Sequence, residues 1–145
     1  PDSDILMLNG FRLVLGADRN LLSMLENKRF EFFPRGLHEP WLEVEGRTAL
    51  MIEPSLLLQY PAPVYFFVNK NNPELASRLE YGLRQAINDG SFDQAFYNDP
   101  MIAGSLNRAK VDQRRLFRIT NPLLTAKSKK ILADKRLWFS PEAVK

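Results

Sequence analysis

Apolar positions along the chain fall into short clusters whose spacing alternates between that of a strand and that of a helix. Asp4 to Leu8 reads as the end of a helix stopped by Asn9-Gly10. Phe11 to Leu15 alternates apolar and basic residues, as a strand does. Asp18 stands where an N-cap belongs, ahead of Leu21, Leu22 and Leu25, which share one helical face. Arg29 to Phe33 is a short aromatic-rich strand ended by Pro34-Arg35-Gly36, and Leu37 to Val44 is a helix weakened by Pro40. Ala49 to Ile52 reads as a short strand. Leu56 to Val68 reads as strand and turn broken by Pro61 and Pro63, with Tyr65 to Val68 a continuous apolar strand suited to a buried sheet.

The clearest element follows. Asn72 caps, Pro73 fits the first helical position, and Leu75, Leu79, Leu83, Ala86 and Ile87 form one apolar stripe, which predicts a helix over Pro73–Asp89. Asp89-Gly90 ends it, and Ser91 opens a short helix through Phe96. Beyond Pro100, Ile102 to Ala109 reads as helix, Arg115 to Ile119 as strand and Asn121-Pro122 as a turn. This alternation predicts an α/β fold with a mixed, mainly parallel sheet of roughly four or five strands flanked by helices.

Composition narrows the class. The 145 residues are 45% hydrophobic and 26% charged, an ordinary globular balance. No cysteine is present, which excludes disulfides and thiolate chemistry. The net charge of +3 hides an asymmetry. Between Arg108 and Arg136 ten Lys/Arg face only Asp112 and Asp134, so that segment carries +8 and the remainder −5. A basic segment on an acidic body is a solvated surface or a binding face for nucleic acid or anionic lipid. The basic residues lack the interleaved aromatics on which single-stranded nucleic acid stacks, so the solvated surface is the reading preferred.

Candidate chemistry is sparse. His38 is the one histidine, without a Gly-x-Ser-x-Gly elbow for a triad and without cysteines for a zinc site. Neither a P-loop nor a dinucleotide-binding glycine triplet occurs, so no cofactor, metal or enzyme is expected. The acidic group Glu39, Glu43 and Glu45 suits a helical solvent face. Arg35 and Gly36 directly follow a strand, where open α/β sheets bind ligands. Arg35 is equally placed to pair with Glu39 one helical turn on. Tyr60-Pro61-Ala62-Pro63 makes a rigid approach to the next strand.

The stretch Lys28–Gly36 resembles the Gly-Arg-hydrophobic-Asp strand of type II periplasmic solute-binding proteins. Phe66-Phe67-Val68-Asn69-Lys70, Asn72-Pro73-Glu74-Leu75 and the helix closing Asn88-Asp89-Gly90-Ser91 are similar to the second-lobe signature of the amino-acid-binding branch of that family. The likeness covers about residues 5–100. It implies residues 1–113 as a second lobe entered after its first strand, and 114–145 as a return segment with a basic tail. The implied protein is periplasmic and non-enzymatic. It traps a small polar solute between two lobes and hands it to a membrane transporter of the ABC type. A sensing module of a membrane receptor and a basic nucleic-acid-binding domain are the alternatives.

Where amino-acid binders of this kind carry an Asp for the ligand ammonium, this chain has Gly36 beside Arg35. That inversion points to an acidic solute held by Arg35 and Gly36, with Glu39 and Tyr60 as further ligand-binding candidates. A lobe standing alone would expose sheet edge and apolar surface, so a homodimer or strand exchange is expected.

Overall fold

A computed structural model describes residues 2–141. The chain runs as α1 (Asp2–Leu8), α2 (Asp18–Glu26), α3 (Pro40–Glu43), β1 (Leu56–Gln59), α4 (Pro73–Asp89), α5 (Ser91–Asn98), α6 (Pro100–Ala109), β2 (Arg115–Arg118) and α7 (Ala126–Ile131). Short 3-10 turns lie at Val111–Gln113 and Lys135–Leu137. The class is mixed α/β, as expected, but the sheet is smaller than expected.

Among the described residues the sheet has two strands, β1 and β2, paired in parallel with Leu56 opposite Arg115 and Gln59 opposite Arg118. A parallel pair needs a crossover, and α4, α5 and α6 supply it. The expected strands Phe11–Leu15, Arg29–Phe33, Ala49–Ile52 and Tyr65–Val68 join no sheet. Apolar and aromatic residues favour a strand, but a strand requires a neighbour, and none among the described residues lies along their edges.

Helix ends follow the local chemistry. Asn72 accepts the Leu75 amide at 3.0 Å, Pro73 opens α4, and Gly90 closes it with φ +81°. Asp99 accepts the amides of Met101 and Ile102 at the start of α6. Asp18 is not the cap of α2. Ala17 holds that position without a side-chain bond, and Asp18 sits in the first turn.

The core is small. Among the described residues, Ile5 and Leu6 of α1, Ala109 of α6 and Val111 of the 3-10 turn after it are buried hydrophobic side chains, and Ser105 and Ser128 are buried polar ones. Among the described residues no large side chain is completely enclosed. Asparagine side chains tie this region together. Asn9 donates to the Ile5 and Thr120 carbonyls at 2.8 Å each, and Asn121 donates to Pro61 O at 2.9 Å. The sheet joins residues on both sides of position 113, with β1 before it and β2 after it.

Candidate functional site

Arg35 lies in the connection between α2 and α3, just after the aromatic segment 29–33, and its guanidinium is surrounded by carboxylates. Its Nε donates to Glu43 Oε2 at 2.9 Å, and its Nη2 bonds the other oxygen of the same carboxylate. This is the two-pronged geometry that a planar guanidinium prefers. Nη2 also lies 3.1 Å from Glu39 Oε1, and Nη1 lies 3.5 Å from Asp18 Oδ1. The Phe33 ring sits beneath the cation, 5.2 Å from its centroid, and Phe30 meets Phe33 edge-on. The hydrogen bond to Glu43 holds the Arg35 pKa above the usual guanidinium range, desolvation opposes it, and the charges of Glu39, Glu43 and Asp18 add to it.

Glu39 does more than pair with Arg35. Its Oε2 accepts the Gly36 amide while Oε1 faces Arg35, so one carboxylate bridges both groups. A Cβ on residue 36 would stand 2.8 Å from Glu39 Oε2, so glycine lets that carboxylate sit against the backbone. Three sequence candidates, Arg35, Gly36 and Glu39, are thus brought together. Glu43 and Asp18 complete the cluster. Glu43 was visible only as one of an acidic group, and nothing in the sequence pattern joins Asp18 to Arg35.

Tyr60 belongs elsewhere. It directly follows β1, at the carboxyl end of the parallel pair, and its hydroxyl donates to Asp2 Oδ1 at 2.9 Å. Burial, reinforced by that bond and by the Asp2 charge, pushes the phenol up to about 12. The carboxyl-edge rule applied to Arg35 in the sequence therefore applies to Tyr60 in the structure, because segment 29–33 is not part of the sheet. His38 is exposed on the loop before α3.

An open groove of about 440 Å³ runs beside the same aromatic segment, lined by Leu25, Lys28, Phe30, Glu31, Leu50 and Met51. No group of three or more His, Cys, Asp or Glu among the described residues is arranged to hold a metal ion. No helix of the described residues is long and apolar enough to cross a membrane.

In the basic segment Arg114 donates to the Ala109 carbonyl at 2.6 Å, and Arg136 pairs with Asp134 and Asn88. The Arg115 guanidinium covers one face of Phe117 at 4.8 Å, and Lys127, Lys129 and Lys130 project from α7 into solvent. Comparisons with protein-family models, curated proteins and solved structures found no match for this chain.

Proposed function

We propose that the chain is a lobe of an extracytoplasmic solute-binding protein whose Arg35–Gly36 turn holds the carboxylate of a small acidic solute. The observation that carries this reading is the position of Glu39. Its carboxylate accepts one bond from the Gly36 amide and faces the Arg35 guanidinium at 3.1 Å. A backbone amide beside a guanidinium fork is a seat built to carboxylate geometry, and here the protein's own side chain occupies it. A solute carboxylate would exchange with Glu39, while Glu43 continues to orient the cation through Nε. Glu39 is on a turn and one-third exposed, so its displacement into water requires no rearrangement of a helix core. The Phe33 ring under the cation supplies an apolar floor.

A second lobe would close over such a seat and remove the solute from water. The same geometry serves a receptor sensing module, in which closure is read by a membrane partner instead of a transporter. Neither reading calls for catalysis by this chain.

The test is a titration of the chain, followed by amide chemical shifts, with monocarboxylates, dicarboxylates and cationic amino acids. Removing the internal carboxylate with Glu39→Ala is expected to tighten dicarboxylate binding by about tenfold, because the competing anion is gone. Arg35→Ala is expected to abolish it. Loss of binding in Glu39→Ala, or preference for cationic amino acids, would overturn the proposal.

A further inference from the structure

The segment from Val64 to Val68 is uncharged, lies outside every helix, turn and strand, and is unpaired. Val64 is 96% exposed, Phe66 71% and Phe67 92%, and no backbone-to-backbone hydrogen bond engages residues 64–68 among the described residues. Five consecutive large apolar side chains, on amides and carbonyls that make no backbone hydrogen bond, form a pairing edge. The chain as a whole points the same way. It exposes 11554 Å², where a compact chain of its mass exposes about 7,600 Å². The surplus exceeds the roughly 1,000–2,500 Å² that each partner contributes to an obligate dimer.

We propose that Val64–Val68 is the pairing strand of a two-fold homodimer, antiparallel to its own copy and centred on Phe66. That register sets Val64 opposite Val68, Tyr65 opposite Phe67, and Phe66 opposite itself. Aromatic–aromatic and β-branched cross-strand pairs of this kind are the stabilising units of antiparallel sheets. Continuing outward, Pro63 meets Asn69 and Ala62 meets Lys70, so no like charges face each other. An isologous contact demands this self-complementarity, and a charged or irregular segment would lack it. One end of the strand is already anchored to its own chain. The Tyr65 hydroxyl is 2.6 Å from Ser128 Oγ, which in turn is 2.8 Å from Thr125 Oγ1. That anchor ties the segment to α7 through Ser128. Pro61 and Pro63 stiffen the approach and lower the entropy lost on pairing. The proposal is independent of the solute reading, since the Arg35 turn contributes nothing to it.

Sedimentation equilibrium across about 1–100 µM tests it, with a reversible monomer–dimer isotherm expected. Phe66→Lys sets two ammonium groups opposite each other at the two-fold axis and is expected to raise the dimer dissociation constant at least about tenfold. Because Phe66 is largely exposed, far-UV circular dichroism should be unchanged in that variant. The chain has no cysteine, so Phe66→Cys carries a single thiol. With diamide as oxidant it should cross-link efficiently, while Met51→Cys, at a site 78% exposed, should not. A monomer throughout the range, open-ended aggregates, unweakened association of Phe66→Lys, or equal cross-linking at both thiols would each overturn the proposal.

Discussion

The Tyr60 hydroxyl donates a 2.9 Å hydrogen bond to Asp2 Oδ1, joining the carboxyl end of β1 to the first turn of α1. The bond spans 58 residues of sequence. It acts on the β1–β2 sheet at the edge where its strands end, and it holds down the helix that contributes Ile5 and Leu6 to the core. Burial and the neighbouring carboxylate both favour the neutral phenol, and they raise its pKa to about 12.

The sign of the resulting pH dependence follows. A phenol whose folded pKa lies above its unfolded value of about 10 stabilises the fold fully below that pH. The contribution is lost as pH rises through the window from about 10 to about 12. Spectrophotometric titration at the phenolate band should show one late-ionising tyrosine. Tyr60→Phe should remove that late phase and flatten the alkaline fall in stability. An unchanged late phase in Tyr60→Phe would assign it to another tyrosine.

Arg35 gives a second prediction, read as stability. Its side chain is 22% exposed and Glu43 27%, so the fork between them is partly shielded from water. Charged hydrogen bonds in such surroundings contribute about 1–2 kcal/mol. Arg35→Ala should lower the unfolding free energy by that amount in urea titrations, and Glu43→Gln by about 1 kcal/mol. Asp18 is 81% exposed at the 3.5 Å limit of the cluster, so Asp18→Asn should change stability by less than about 0.5 kcal/mol. A reversed order would mean that Asp18, not Glu43, orients the cation.

How far the sequence foretold these features depends on how local the causes are. The span of α4 was legible to the residue because Asn72-Pro73 and Asp89-Gly90 are self-contained stop and start signals. The start of β2 at Arg115 was legible too, in a sheet expected to be mixed and mainly parallel, but its pairing with β1 was not. Segments 29–33 and 65–68 read as strands in the sequence and join no sheet, because pairing depends on a partner elsewhere in the chain. Arg35 with Glu39 could be proposed from a four-residue spacing. Asp18 beside Arg35, and Asp2 beside Tyr60, come from chain reversal and leave no periodic trace.

Helix caps offer a third prediction that needs no tertiary argument. Asp99 Oδ1 accepts two amides at the start of α6, at 3.0 and 3.1 Å. Replacing it with alanine should cost about 1 kcal/mol, the usual loss of a side-chain cap. Gly90→Ala forces a Cβ into a left-handed residue between α4 and α5 and should cost about 1 kcal/mol as well. Urea midpoints decide both. A neutral Asp99→Ala would show that α6 is held by its buried Ser105 and Ala109 face alone.

Asn9 supports the most discriminating prediction. Its amide nitrogen donates to the carbonyls of Ile5 and Thr120 at 2.8 Å each, and its oxygen lies 3.3 Å from the Thr120 amide. One side chain therefore closes α1 and pins it to the residue that follows β2 by two positions, 111 residues away. Asn9→Ala loses these bonds and should cost about 1–2 kcal/mol. Asn9→Asp keeps the shape but replaces a donor facing two carbonyl oxygens with an ionised oxygen. That carboxyl is favoured in its protonated form, so its folded pKa lies above the usual carboxyl value of about 3.9. Its contribution is fully present below that pH and is lost as pH rises through the folded value. Asn9→Asp should accordingly be more damaging than Asn9→Ala at neutral pH, and should recover relative to it on acidification. Equal loss at every pH would mean that the Asn9 amide donates nothing to the join between α1 and β2.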